Sequence, residues 1–121
     1  MILADTSIWI DHFRSRNALF FDLLQASEIL VHPFVRGELM LGGTRGAILD
    51  DIRMLPPAPV ATAAEVERLI EGASLAGRGI GYVDAALLAS ARLGERARLW
   101  TLDRRLAGIA GELSIAFDPA E

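Results

Sequence analysis

The chain has 121 residues, the size of one domain that can bury its own hydrophobic core, and 52% of them are hydrophobic. The formal net charge of −4 argues against a protein that binds nucleic acid through overall charge, although all 12 basic side chains are arginines. Because there is no cysteine, disulfides, thiolate metal sites and a thiol nucleophile are excluded.

Nothing in the sequence indicates an exported or membrane-bound protein. The residues before Asp5 form neither the basic nor the apolar part of a signal peptide, and no apolar run approaches the roughly 20 residues that span a bilayer. We therefore expect a cytoplasmic protein without a membrane anchor, folded as a single domain over residues 1–121.

Short apolar runs alternate with longer segments of helical periodicity along the whole chain. In chain order the sequence predicts a strand over residues 2–4, helices over 7–13 and 18–26, a strand over 28–31, and helices over 33–41 and 44–54. It then predicts a strand over 59–61, helices over 63–76 and 82–93, a strand over 98–101, a helix over 104–110 and a closing strand over 113–117. This alternation is typical of an α/β fold with a mostly parallel sheet covered on both faces.

Four acidic residues stand where such a sheet would bring them together. Asp5 and Asp103 follow buried strands, whose carboxyl ends line the ligand crevice of open α/β sheets. Asp84 lies in the first turn of an apolar helix, and Glu38 lies among apolar residues in the middle of a helix, where we expect it to be buried. Four converging carboxylates repel one another unless a divalent cation neutralises them, so the pattern predicts a Mg²⁺ or Mn²⁺ site.

Each of these acidic residues also has a purely structural interpretation. Asp5 and Asp103 can cap the helices that follow them, and Asp84 can balance the dipole of its helix. Glu38 can pair with Arg36. Each signal is weak alone, and the metal site is favoured because the four occur together.

The segments around the acidic residues resemble the PIN-domain ribonucleases, in particular the VapC toxins of bacterial toxin–antitoxin pairs. The resemblance rests on four motifs in family order, which are LADTSIW around Asp5, RGEL around Glu38, GIGYVDA around Asp84 and LWTLDR around Asp103. It implies a three-layer α/β/α sandwich with a central, mostly parallel sheet. It also implies Mg²⁺- or Mn²⁺-dependent endonucleolytic cleavage of RNA, a small VapB-like antitoxin that masks the site, and frequent homodimerisation.

The resemblance carries roles over to individual residues of this sequence. Catalytic and metal-binding roles fall on the four acidic residues, with Asp103 the one most suited to positioning water or a second ion. The hydroxyl groups of Ser7 and Thr101 fall on positions that hold ligands or bound water in place. Arg104 and Arg105 are candidates for contacts with the RNA backbone, and a solvated surface role is the alternative for both.

The remaining candidates are two histidines and a set of aromatic residues. His32 follows a strand and precedes a proline, which favours a structural role, and His12 is predicted to lie at the surface. The aromatic residues of the first two helices fit either the core or an antitoxin-binding surface; they are Trp9, Phe13, Phe20 and Phe21.

Other functions of acidic α/β domains are less compatible with these residues. A phosphoacceptor receiver domain and a haloacid-dehalogenase-type phosphatase both need a lysine, and the sequence has none. The phosphatase also needs a second Asp two residues after the first, where Ser7 stands. Two alternatives stay open, a PIN nuclease of RNA maturation and a non-catalytic, metal-binding regulatory module that acts with its antitoxin on DNA.

Overall fold

Three short parallel strands form the centre of the fold, which a computed structural model describes for residues 1–120. They are β1 (Ile2–Ala4), β2 (Ile29–Leu30) and β3 (Arg98–Trp100), in the spatial order β2-β1-β3. Residue 2 pairs with residue 29 on one side and with residue 98 on the other, so the first strand of the chain is the central one. Apart from Arg98 the strand residues are buried, as expected for a parallel sheet between helices.

Seven helices surround the sheet in this part of the chain. They are α1 (Thr6–Ser15), α2 (Ala18–Gln25), α3 (Pro33–Leu41), α4 (Gly46–Arg53), α5 (Ala63–Gly72), α6 (Tyr82–Leu93) and α7 (Arg104–Glu112). Helix α1 packs against β1, α2 and α3, whereas α6 packs against β3 and α5, and α7 packs against β3. The predicted three-layer α/β/α sandwich is confirmed. None of these helices combines the length and apolar character needed to cross a bilayer.

Local signals in the sequence set most of the helix ends. Helix α3 begins at Pro33, whose missing N–H costs nothing in a first turn, and it ends at Gly42. Helix α5 begins with a capping box, in which Thr62 Oγ1 accepts the N–H of Glu65 and Glu65 Oε1 accepts the N–H of Thr62. Helix α6 spans the predicted residues 82–93.

The predicted strand over residues 59–61 is wrong. The parallel contact with the sheet occurs two residues earlier, where Val31 donates its N–H to Pro56 O and accepts the N–H of Ala58, both at 2.9 Å. These two hydrogen bonds form a single bridge between Val31 and Pro57, and no strand follows it over residues 59–61. Prolines at positions 56, 57 and 59 have no N–H to donate, so this segment cannot extend a ladder.

Two further predicted elements are shorter than expected. The closing strand over residues 113–117 is reduced to one bridge between Leu99 and Ala116, because the chain turns sharply at Ser114, with a φ of 60°, directly after α7. The helix predicted over 63–76 ends at Gly72, since Ser74 adopts a φ of 53° that a right-handed helix cannot continue.

An aromatic chain crosses the core from α1 to the end of the fold, and it consists of Trp9, Phe20, Trp100 and Phe117. Successive ring centroids are 4.8, 6.0 and 4.9 Å apart, which are distances of favourable edge or tilted packing. Trp9 and Phe20 are buried, so the core interpretation is confirmed for these two. Phe13 is 44% exposed, and the core interpretation is wrong for this residue.

Candidate active site

Asp5 lies where the central strand ends, and it caps α1. Its Oδ1 accepts the N–H of Ile8 at 3.3 Å and the hydroxyl of Ser7. The residue is only 7% exposed, so these donors matter for keeping its charge. Ser7 Oγ in turn accepts the N–H of Leu102 at 3.0 Å, and it therefore ties Asp5 to the turn that follows β3.

Asp103 occupies the matching position after β3, and it caps α7. Its Oδ1 accepts the N–H groups of Arg105 and Leu106 at 2.9 and 3.1 Å. Thr101 Oγ1 accepts the N–H of Asp103 at 3.0 Å, so the hydroxyl stabilises the turn that presents this carboxylate. Asp103 is exposed, and it is reached from solvent more easily than Asp5.

Glu38 lies on α3 and faces solvent, so the expectation that it is buried is wrong. The neighbours Val35 and Leu39 are buried, whereas Glu38, three residues after Val35, lies at the edge of this apolar face and is exposed. Its Oε1 accepts the hydroxyl of Thr6 at 2.7 Å, which joins α3 to the first residue of α1. Thr6, and not Arg36, is the partner of this carboxylate.

Asp84 lies in the first turn of α6, where its Oδ2 accepts the N–H of Gly81 at 3.3 Å. Burial raises the pKa of Asp84, and the charges of Asp103, Asp5 and Glu38 raise it further, against the lowering effect of the Gly81 N–H. All three other carboxylates are therefore close enough to act on this one. We call these four residues the acidic cluster.

The acidic cluster offers only oxygen donors, which are the ligands that Mg²⁺ and Mn²⁺ prefer. Within residues 1–120, no three acidic or histidine side chains are arranged so that they could hold a metal ion together. Each carboxylate of the cluster instead accepts hydrogen bonds from groups near it. The donor set and the mutual repulsion fit a divalent cation, and binding one requires side-chain rotations that bring the carboxylates closer together.

The two histidines lie outside the acidic cluster. His32 is buried and caps α3, in agreement with the structural role predicted for it. His12 is half-buried, keeps part of its surface open to solvent and accepts the N–H of Asn17 at Nδ1. Neither ring is placed for acid–base work beside the carboxylates.

Arg104 and Arg105 are exposed at the start of α7, next to Asp103. The side chain of Arg105 lies over Gly79, where a Cβ would fall 2.6 Å from Nη1, and Gly79 has a φ of 83°. The same loop is held at Arg78, whose Nη2 lies 2.8 Å from Glu112 Oε2. These contacts between α7 and the loop leading into Asp84 could not be predicted from the sequence, because they join distant residues.

An apolar groove of about 550 Å³ runs along α1 beside the site. Apolar and polar side chains both line it: Trp9, Phe13, Leu24, Ile48, Ile52 and Leu55 on the apolar side, and His12, Gln25 and Asp51 on the polar side. Trp9 Nε1 is buried without a hydrogen-bond partner among residues 1–120. A second groove, of about 330 Å³, shares Phe13 with the first and reaches Glu38. Phe13 therefore joins the apolar groove to the acidic cluster.

Comparison with known proteins agrees with this geometry. The family model of the PIN domain matches residues 2–112, so the chain belongs to the PIN-domain family. Over 118 residues the chain is 46% identical to the protein named Ribonuclease VapC32 in two strains of Mycobacterium tuberculosis, covering 96% of this chain and 95% of each relative. This similarity places the chain among the VapC ribonucleases, and it confirms the resemblance that the four motifs indicated.

Proposed function

We propose that this VapC-type ribonuclease is the toxin of a type II toxin–antitoxin pair and cleaves RNA phosphodiester bonds endonucleolytically. PIN-domain ribonucleases generally use divalent metals, and we assign Mg²⁺ or Mn²⁺ to the acidic cluster of this chain. The observation that carries the assignment is where the four carboxylates stand. Asp5 and Asp103 follow the neighbouring strands β1 and β3, and Glu38 is joined to the start of α1 through Thr6. Asp84 lies in the first turn of α6, and its pKa is raised by burial and by the charges of the other three carboxylates. Four carboxylates from separate parts of the chain are held close together against their own repulsion, which is typical of a site built for a cation.

In the proposed mechanism Asp5, Glu38 and Asp84 would hold the cation, and Asp103 would orient a water molecule or support a second ion. A bound divalent cation supplies positive charge that polarises the scissile phosphate and lowers the pKa of water. Ser7 keeps the Asp5 carboxylate oriented, since its hydroxyl donates to Asp5 and accepts a backbone N–H from across the sheet edge. No nucleophilic side chain takes part.

Arg104 and Arg105 are proposed to contact the RNA backbone at the mouth of the site. A chain with a net charge of −4 repels RNA at long range, so local cations beside Asp103 are needed to hold the phosphates. Both arginines are exposed on the turn that follows this carboxylate. RNA as substrate is also the reason to place the protein in the cytoplasm.

The apolar groove is the surface that we propose for a VapB-like antitoxin. A segment bound there would cover Phe13 and reach Glu38 through the adjoining smaller groove, so it would block the acidic cluster. We also propose that the protein forms a homodimer. We propose a single domain over residues 1–121, and the continuous hydrophobic core of the described residues supports it.

The function is tested with antitoxin-free protein and total cellular RNA. Wild type, Asp5→Asn and the surface control Asp50→Asn are incubated with Mg²⁺, with Mn²⁺ or with EDTA, and the new RNA ends are sequenced. We expect discrete ends from wild type and Asp50→Asn, and none from Asp5→Asn or in EDTA. Folded, metal-loaded protein that yields no new ends would contradict the enzyme and favour a regulatory module.

A second experiment separates a toxin from an RNA-maturation nuclease. The chain is expressed in cells with and without the product of a short neighbouring gene that encodes a DNA-binding protein. We expect growth arrest that this product relieves and that Asp5→Asn does not cause. Trimming of one precursor RNA without growth arrest would favour the maturation enzyme.

A further inference from the structure

A buried polar pair connects two helices that carry the acidic cluster. His32 is 1% exposed and Ser90 is fully buried, and the ring Nε2 lies 3.2 Å from the Ser90 hydroxyl oxygen. His32 caps α3, the helix of Glu38, whereas Ser90 lies on α6, the helix of Asp84. Buried polar groups of this kind are retained only where they are satisfied.

The hydrogen bonds fix both the tautomer and the orientation of the ring. Phe34 donates its N–H to His32 Nδ1 at 3.0 Å, so Nδ1 is unprotonated. The neutral ring then carries its hydrogen on Nε2, which donates to Ser90 Oγ. Burial and the nearby Arg36 lower the pKa of His32, in agreement with a neutral ring.

Ser90 also anchors the segment that precedes α5. Its Oγ accepts the N–H of Ala61 at 3.2 Å, in addition to the bond from His32. One hydroxyl therefore holds the cap of α3 and the 54–62 segment against α6. Within residues 1–120, the bond to His32 is the one side-chain hydrogen bond that connects α3 or its cap with α6.

We propose that His32 is a positioning residue of the active site, whose bond to Ser90 sets the place of Glu38 relative to Asp84. The inference rests on the proposed function, because it assigns both carboxylates to one metal site. Helix α3 packs chiefly against α1, and α6 packs chiefly against α5 and β3. Without the His32–Ser90 bond, the two helices can shift against each other.

Small shifts of this kind have large consequences in a metal site. A displacement of about 1 Å in a positioning contact can slow catalysis on the order of 100-fold. Partners behind the ligands of metal sites typically change metal affinity or activity by about 10- to 100-fold when they are lost. His32 contacts no group of the acidic cluster, so its effect must pass through the position of α3.

Two substitutions of His32 distinguish its proposed positioning role, through Ser90, from its role as the cap of α3. His32→Asn keeps a good cap acceptor for the N–H of Phe34 but is too short to reach Ser90. His32→Gln places an amide nitrogen near the position of Nε2 and keeps a donor for Ser90, while the cap acceptor is lost. The positioning proposal predicts that His32→Asn is the more damaging change, and a pure capping role predicts the opposite order.

The measurements are the binding of Mn²⁺ alone, by calorimetry, and the single-turnover rate of RNA cleavage. We expect His32→Asn and Ser90→Ala to lower both the affinity for Mn²⁺ and the rate of RNA cleavage about tenfold. In His32→Gln both quantities should stay within about threefold of wild type. Leu49→Ala in α4 is the matched control, since it removes a buried side chain from a helix that does not pack chiefly against α3 or α6. We expect its Mn²⁺ affinity to match wild type at a temperature where all variants are folded.

Several outcomes would overturn the proposal. The proposal would fail if His32→Asn were equal to wild type or if both position-32 variants showed equal losses. It would also fail if Leu49→Ala lost as much Mn²⁺ affinity as His32→Asn. Wild type that binds Mn²⁺ but cleaves no RNA would contradict the proposed function alone, and the order of Mn²⁺ affinities would still decide the role of His32. Non-additive losses in His32→Asn/Ser90→Ala would support a direct link between the two residues.

Discussion

The acidic cluster and the aromatic chain lie next to each other in the fold, and they differ in how they are held. The rings of the aromatic chain attract one another across long stretches of sequence, from Trp9 to Phe117. The carboxylates repel one another, and Asp5, Asp84 and Asp103 are each held by donors within three residues of themselves. Packing between aromatic rings that are distant in sequence makes the core rigid. Hydrogen bonds from nearby residues then hold the carboxylates in place on this core. Stability and activity should therefore respond to different substitutions.

The largest effect is expected for Asp5→Asn. Asn is as good a helix cap as Asp, so the fold should keep its stability, while one proposed metal ligand loses its charge. We expect the cleavage rate to fall about 1,000-fold, which corresponds to roughly 4 kcal/mol in the activation barrier. Single-turnover kinetics and urea unfolding of the same preparation measure both quantities. More than a tenth of the wild-type rate would contradict a metal role for Asp5.

A substitution in the aromatic chain should lower stability and leave the cleavage rate nearly unchanged, the reverse of Asp5→Asn. Phe20→Ala removes a fully buried ring that contacts both Trp9 and Trp100, and we expect it to lower the free energy of unfolding by about 3 kcal/mol. The rate per folded molecule should stay within about threefold of wild type at low temperature, because the acidic cluster is untouched. Phe21→Ala is the control, since Phe21 is half-buried. Similar losses of stability in both variants would argue against the aromatic chain as the main support.

The next effect concerns His32, a titratable group inside the core. Its pKa is lowered below 6.5 by burial and by Arg36, so the unfolded chain binds the proton more readily. Stability is then complete above the unfolded pKa and is lost as the pH falls below it, by at most about 1.4 kcal/mol per pH unit. Urea unfolding at pH 7.5 and at pH 5.5 should show this loss in wild type. It should be smaller in His32→Gln, and an equal loss in that variant would assign the pH dependence to other groups.

The smallest effect is expected for Asp84→Asn, which should raise stability while it abolishes activity. Burial and the charges of Asp103, Asp5 and Glu38 raise the pKa of Asp84, so its charged form opposes folding, and Asp84→Asn should remove this cost. Because the carboxyl is partly exposed and screened, we expect a gain of only about 0.5 kcal/mol in EDTA, together with loss of cleavage. Thermal unfolding in EDTA measures the gain. A clear loss of stability would mean that the hydrogen bond from Gly81 outweighs the repulsion of the other carboxylates.

The positions of the acidic residues could be predicted because they depend on simple geometry. Carboxyl ends of parallel strands meet at one edge, which places Asp5 and Asp103 together, and a helix start places Asp84 beside them. The exposure of Glu38 could not be predicted, since a residue at the edge of an apolar helix face is covered or open depending on which element packs beside it. Its partner Thr6 is 32 residues away and left no local signal.

Long-range polar contacts were the main features that the sequence did not reveal. His32 and Ser90 are 58 residues apart, and a lone serine inside an apolar helix is compatible with many roles. The contact of Arg105 with Gly79 likewise depends on how α7 approaches the loop before α6. The strands predicted over residues 59–61 and 113–117 are not formed. In each region one residue, Pro57 or Ala116, makes a single bridge to the sheet.

The burial of Trp9 in the wall of the apolar groove gives the protein an optical reporter. The chain has two indoles, and the other, Trp100, lies in the sheet against Phe117. In a Trp100→Phe variant all indole emission comes from the groove. A segment that binds in the groove replaces the water beside the Trp9 ring and should shift that emission, so occupancy can be titrated by intrinsic fluorescence without a dye or a label.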